Sequence, residues 1–125
     1  MKIMVVDDSK VMRRIVVNAV EALNPTSIEE AADGMEAYQK LEADTTYDLI
    51  LTDWNMPVMN GLALVKKIRT NDGLKEAAII MVTTESEKSN VITAIKAGAD
   101  NYIVKPFTAE VLLEKVKETL DKLGK

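Results

Sequence analysis

The sequence predicts a single α/β domain built on a five-stranded, doubly wound parallel sheet. Short β-branched runs alternate with longer helical patterns five times along the chain, the signature of parallel βα units. The chain has 125 residues, roughly half of what an eight-stranded barrel needs and enough for one domain of ordinary size. Right-handed crossovers then favour a doubly wound sheet, with ligands gathering at the carboxyl ends of its strands near a switch point.

Each element has a local reason. Lys2 to Val6 is nearly all apolar, as a strand covered on both faces should be. Ser9 can cap a helix in which Met12, Ile15, Val16, Ala19 and Leu23 recur at helical spacing, and Asn24-Pro25 ends it. Ser27 to Ala32 reads as a weaker second strand, followed by an Asp33-Gly34 turn and a helix ending near Ala43. Asp48 to Thr52 is the third strand, Asp53 to Asn60 a loop, and Gly61 to about Thr70 a helix carrying Leu62, Leu64, Val65 and Ile68. Ala78 to Thr83 is the fourth strand, and a helix from about Ser89 to Ala97 stops at Gly98. Asn101 to Val104 is the fifth strand, broken by Pro106. The last helix spans about Thr108 to Leu123, with Val111, Leu112, Val116, Leu120 and Leu123 as its apolar positions.

Composition narrows the chemistry. There is no Cys and no His, which removes disulfides, thiolate nucleophiles, histidine bases and imidazole metal sites. A net charge of -4 argues against nucleic-acid and membrane-surface binding, both of which need clustered positive charge. No apolar run approaches the ~20 residues of a membrane helix, and Asp7-Asp8 comes too early for a secretory signal. The expectation is a soluble cytoplasmic protein whose whole length, 1–125, is one domain with no output domain attached.

The informative residues stand just past the strands. They are Asp7-Asp8 after the first, Asp53 after the third, Thr83-Thr84 at the fourth and Lys105-Pro106 after the fifth. Singly, each has an ordinary structural explanation as a cap, a turn residue, a strand end or a solvated cation. In a parallel sheet they share one edge, so three carboxylates, a hydroxyl and an ammonium converge. Uncompensated, the carboxylates would repel until one took a proton. A hard divalent cation resolves this. Mg²⁺ suits the set because it binds through one or two carboxylates and accepts phosphate oxygens, and Lys105 adds a point charge for the same phosphate.

These residues resemble the receiver domain of two-component response regulators, over the whole chain. The likeness rests on Val5-Val6-Asp7-Asp8-Ser9, Leu51-Thr52-Asp53-Trp54-Asn55-Met56-Pro57, Asn60-Gly61, Val82-Thr83 and Lys105-Pro106-Phe107. Within the family it is most similar to the chemotaxis regulators, through Trp54, Asn55-Met56-Pro57 and the run Asn101 to Thr108. The resemblance, not the strand pattern, implies a flavodoxin-like strand order of 2-1-3-4-5. It also implies that Asp53 accepts a phosphoryl group from a sensor histidine kinase (CheA-like). Asp7, Asp8, Asp53 and the backbone carbonyl of Asn55 would hold Mg²⁺. Thr83 and Lys105 would contact the phosphoryl group, Thr83 and Tyr102 would form the switch, and Asn55 and Glu85 would tune dephosphorylation. Thr84 is bulkier than the Ala or Gly often found at its position, which bears on donor access.

The implied output is a protein-binding face made of the helix near Ser89–Ala97, the strand Asn101–Val104 and the final helix. The implied partners are a flagellar motor switch protein and a phosphatase, and the chain would act as a monomer. Phosphorylation would draw the Thr83 hydroxyl inward and bury the Tyr102 ring. Two charge-assisted hydrogen bonds, from Thr83 and Lys105, would supply on the order of 3–6 kcal/mol, against roughly 5.5 kcal/mol needed to drive a switch from 1:99 to 99:1. A relay intermediate or phosphate sink is the alternative circuit. A Mg²⁺-dependent phosphohydrolase would resemble a pattern with a second Asp where Asn55 stands, and a flavin carrier would not place Asp7-Asp8 in its phosphate loop.

Overall fold

The computed structural model describes residues 1–125. Its strands are β1 (Lys2–Val6), β2 (Ser27–Ala31), β3 (Leu49–Thr52), β4 (Ala78–Thr83) and β5 (Asn101–Val104). Its helices are α1 (Lys10–Val20), α2 (Gly34–Ala43), α3 (Gly61–Arg69), α4 (Lys88–Ala97) and α5 (Ala109–Lys122). The strands form one parallel sheet in the order β2-β1-β3-β4-β5. The chain leaves β1 for one side and returns to β3 on the other, so the switch point lies between β1 and β3.

Alternation along the strands sends side chains to two apolar layers. Met4, Val6, Ile50, Ile79 and Met81 pack with Leu41, Leu64, Ile68 and Ala94 under α2, α3 and α4. Ile3, Val5, Leu51, Ile80 and Val82 pack with Val16, Val20, Leu112 and Val116 under α1 and α5.

The elements differ from expectation mainly at their ends. β2 stops at Ala31, because the Ala32 amide turns away to donate to the Glu36 carboxylate at 3.2 Å. β3 starts at Leu49, because Asp48 meets the Lys2 amide with its carboxylate, at 2.8 Å. α1 tightens into a 3₁₀ turn over Glu21–Leu23, which Asn24 ends in the left-handed region at φ 52°. α3 ends at Arg69 and α4 begins at Lys88. A further 3₁₀ turn, Asp72–Leu74, buries Leu74. Ile15, Val111 and Leu123, expected in the core, are 41–46 % exposed. Helices lying on a sheet bury a limited arc, and here that arc is Val16, Val17, Ala19 and Val20 in α1 and Leu112, Val116, Thr119 and Leu120 in α5.

At the amino-terminal edge of the sheet, Arg69 ties the ends of several elements together. It donates to the carbonyls of Gly98 at 2.9 Å, Ala77 at 2.9 Å and Lys75 at 3.2 Å, and pairs with Asp100 at 2.9 Å. Asp100 in turn accepts from the Ile79 amide at 2.9 Å. Removing a half-buried partner strands the other charge and three carbonyls. Arg69→Ala is therefore expected to cost about 2–3 kcal/mol in urea unfolding, after discounting for partial solvent access. An unchanged midpoint would show that the clasp contributes nothing net.

α4 is held differently from the other helices. Ala94 is its one fully buried residue, and its first residue has no side-chain cap, whereas Ser9, Asp33, Asn60 and Thr108 cap α1, α2, α3 and α5.

Candidate functional site

Strand register brings the acidic residues together. Val6 pairs with Thr52, so the residues that follow them, Asp7 and Asp53, leave adjacent strands side by side. Backbone bonds fix both positions: the Asp7 amide donates to Ala31 O at 3.1 Å and the Asp53 amide to Val6 O at 2.9 Å. The carboxylate oxygens of Asp7, Asp8 and Asp53 lie within 4.8 Å of one another. Asp7 and Asp53 are buried, whereas Asp8 is exposed.

Asp7 has a local duty as well, accepting from the Ser9 amide at 2.9 Å where the chain turns into α1. Asp53 is steadied by its own neighbour, since the Trp54 amide donates to its carboxylate at 2.7 Å. Lys105 reaches across from the end of β5, with its ammonium 2.8 Å from Asp7 and 3.4 Å from Asp53. Burial pushes the Asp53 carboxyl above the ordinary carboxylate range, and the charge of Asp7 adds to this while Lys105 opposes it. One ammonium against three carboxylates leaves the cluster short of positive charge.

The donor set can hold a metal ion. It offers oxygen ligands only, as a hard cation requires. The Asn55 carbonyl, two residues past Asp53, accepts no hydrogen bond within the fold, so it remains free as a ligand.

A second group of residues meets at Glu85. Its carboxylate accepts from Asn55 Nδ2 at 2.9 Å and from Asn90 Nδ2 at 3.2 Å. Its amide donates to Thr83 Oγ1 at 3.3 Å, and its carbonyl accepts from the Tyr102 hydroxyl. The two proposed tuning positions, Asn55 and Glu85, are thus bonded directly, and both switch positions bond to the Glu85 backbone. Asn90 was not visible as a member, because nothing in its helical spacing points to a loop partner.

Thr83 is wholly buried, and its hydroxyl donates to no group in the fold. It makes no hydrogen bond to the acidic cluster. The Tyr102 ring is only 7 % exposed, so it is already buried, contrary to the expectation that phosphorylation would bury it. Burial, with the charges of Glu85 and Asp53, pushes its hydroxyl up to about 12, which keeps it a donor at neutral pH. Thr84 is exposed beside them. The switching gain also needs correction: Lys105 is already paired, so any bond it makes to a phosphoryl group replaces an existing one.

The loop from Asp53 to Gly61 is pinned at several points. The Gly61 amide donates to Trp54 O at 2.8 Å, the Gly34 amide to Met59 O at 2.9 Å, and Asn60 caps α3. A Cβ built on Gly61 would stand 1.9 Å from the Asp53 carbonyl oxygen, so only glycine lets α3 approach this closely. Between these anchors Val58 has φ 66° and is 80 % exposed, with Met59 N donating to Pro57 O at 2.7 Å across it. Such a three-residue turn is rare and strained, at a cost of ~1–3 kcal/mol for a β-branched residue.

Residues 3–117 match the model of the response regulator receiver domain. The chain belongs to that family. It is 54 % identical over 120 residues to the chemotaxis protein CheY1 of Helicobacter pylori, covering 96 % of this chain and 97 % of that one. Among solved structures it is similar to the chemotaxis response regulator CheY4 of Vibrio cholerae, at 36 % identity and a TM-score of 0.87, covering 95 % and 98 % of the two chains. It is also similar to a chain in the CheX-CheY-BeF3-Mg complex of Borrelia burgdorferi, at 27 % identity and a TM-score of 0.90, covering 96 % and 89 %. The receiver fold is therefore the one expected, five parallel strands in flavodoxin-like order. No helix of this receiver domain is long and apolar enough to cross a membrane.

Proposed function

We propose that this receiver domain is a cytoplasmic chemotaxis regulator that takes a phosphoryl group onto Asp53 from a histidine kinase and then engages a flagellar switch protein. One observation carries the reading. Asp53 is a buried carboxylate at the sheet's switch point, clustered with two further carboxylates and with the ammonium of Lys105, which bridges Asp7 and Asp53. Burial raises the energy of its charged form, which favours an oxygen that can share its charge with phosphorus.

In the transfer, an Asp53 oxygen bonds to phosphorus as the bond from phosphorus to the donor's imidazole nitrogen breaks, and that nitrogen keeps the electron pair. Asp7, Asp8, Asp53 and the Asn55 carbonyl would hold Mg²⁺, which when bound offsets negative charge on the transferring oxygens. Lys105 turns from Asp7 toward the new phosphoryl group. The Thr83 hydroxyl, with its proton unused, donates to it. Drawing Thr83 inward lengthens its bond to the Glu85 amide, and Glu85 also carries the Tyr102 hydroxyl. The signal thereby reaches β5 and the face made by α4, β5 and α5. An apolar cleft of about 510 Å³ lies on that face, lined by Tyr102, Val104, Phe107 and Val111 among others, and suits a partner peptide or helix. The relatives named for chemotaxis support this circuit over a relay or sink.

With Asn55 where a phosphohydrolase would carry an acid/base carboxylate, the domain catalyses only its own phosphorylation and dephosphorylation. It acts as a monomer, with a phosphatase resetting it. The test is labelling by acetyl phosphate, with the modified residue mapped by mass spectrometry. Label should appear on Asp53, require Mg²⁺ and form about 100-fold or more slowly in Asp8→Ala. Unimpaired labelling in excess chelator would refute the metal assignment.

A further inference from the structure

We propose that Val58 is a specificity-determining contact for the protein phosphoryl donor, an exposed apolar knob on the loop that follows Asp53. This inference rests on the function proposed above. Three observations on the page lead to it. Val58 sits in a backbone conformation that a β-branched residue avoids, and the chain anchors on either side of it impose that conformation. Its side chain is 80 % exposed, so no packing inside the fold compensates for the strain. It lies five residues past Asp53, on the same loop as Trp54 and Asn55.

A residue that strains the backbone and packs against nothing serves something outside the chain. Asn or Gly would occupy this turn with less strain, so the aliphatic side chain itself is what the position supplies. A donor protein must bring its phosphorylated residue to the Asp53 carboxylate, and its surface then passes over this loop. Acetyl phosphate brings no protein surface to the loop. A phosphatase working at Asp53 would pass over the same loop, and the experiment below separates it from the donor. The partner surface this implies is apolar and lies next to the donor's phosphorylated residue.

The experiment compares wild type with Val58→Asn and Val58→Thr. The first relieves the strain and removes the knob; the second keeps the shape and the strain but not the apolarity. Three readouts are needed: thermal unfolding, labelling by acetyl phosphate with Mg²⁺, and transfer from each purified, autophosphorylated histidine kinase of the source organism. Val58→Asn should raise Tm by about 2–5 °C. Both variants should label from acetyl phosphate within about twofold of wild type and lose about tenfold in transfer efficiency from the preferred kinase. Equal transfer from that kinase would overturn the proposal, as would wild type accepting phosphate from acetyl phosphate but from no kinase. A fall in the Tm of Val58→Asn would overturn its premise, by showing that the fold needs the valine. Intact transfer with slower partner-stimulated dephosphorylation would assign Val58 to a phosphatase and reject the donor. Failure of wild type to label at Asp53 from acetyl phosphate would instead refute the underlying function.

Discussion

A single methyl group at Gly61 is expected to disable the site without altering any side chain in it. The Gly61 Cβ would stand 1.9 Å from Asp53 O, 2.8 Å from Asp53 C and 3.0 Å from Trp54 Cα. All three are backbone or Cα atoms, so no flexible side chain can swing aside. Either α3 slides outward, opening the layer that holds Leu64, Val65 and Ile68, or the Asp53 peptide shifts away from Val6. Overpacking against backbone should cost ~3 kcal/mol or more, which lowers Tm by about 10 °C or more. At a temperature where Gly61→Ala is still folded, phosphoryl transfer should slow by about 100-fold, because displacements near 1 Å at a reacting centre have that effect. Circular dichroism melts and acetyl phosphate labelling measure the two losses. Wild-type labelling in a folded Gly61→Ala protein would mean that Asp53 does not depend on this close approach.

Asp53→Asn is expected to push function and stability in opposite directions. Labelling should fall to background, since the amide has no nucleophilic oxyanion and no histidine is present to compete. Metal-free stability at neutral pH should rise. Folding raises the Asp53 pKa, chiefly through burial, so the folded state binds this proton more tightly than the unfolded state does. Ionisation therefore costs stability, which is progressively lost as pH climbs from the unfolded value of about 4 through the higher folded one. A neutral isostere escapes that cost, and Lys105 keeps its closer partner, Asp7, at 2.8 Å. The Tm advantage of Asp53→Asn should narrow as pH falls toward the unfolded value of about 4 and close below it, where the wild-type carboxyl is protonated in both states. Melts between pH 4 and 8 without divalent ions decide the matter. A wild type more stable than the variant at pH 7 would mean that the Lys105 attraction outweighs burial.

Much of this architecture can be read from the chain because its strands are short, apolar and cleanly bounded. β4 and β5 lie where their β-branched runs stand, and Asp53 and Lys105 follow strands whose ends are unmistakable. The turn at Asp72–Leu74 has three residues and therefore no period to detect. Ile15 and Val111 sit one helical position outside the buried arcs, a difference that depends on how α1 and α5 are rotated on the sheet. The hydrogen-bonding role of Glu85 could not be seen either. Its links to Thr83 and Tyr102 run through its backbone, which carries no residue-specific signal, and Tyr102 lies 17 residues away. Arg69 is similar, since most of its partners are carbonyls brought near by the fold.

The weak anchoring of α4 bears on how little energy the proposed switch has to deliver. Local opening free energies within one protein run from near zero up to the global stability, and segments with few buried apolar groups lie at the low end. With Ala94 as its one fully buried residue and no side chain capping its start, α4 belongs there. Displacing it therefore costs less than displacing a helix with a capped start and a wider buried arc. A ligand that shifts this helix needs only the differential affinity between states that are close in energy. Lys105 enters the event already paired, so its net contribution is small, yet a shallow landscape around α4 lets a small contribution suffice.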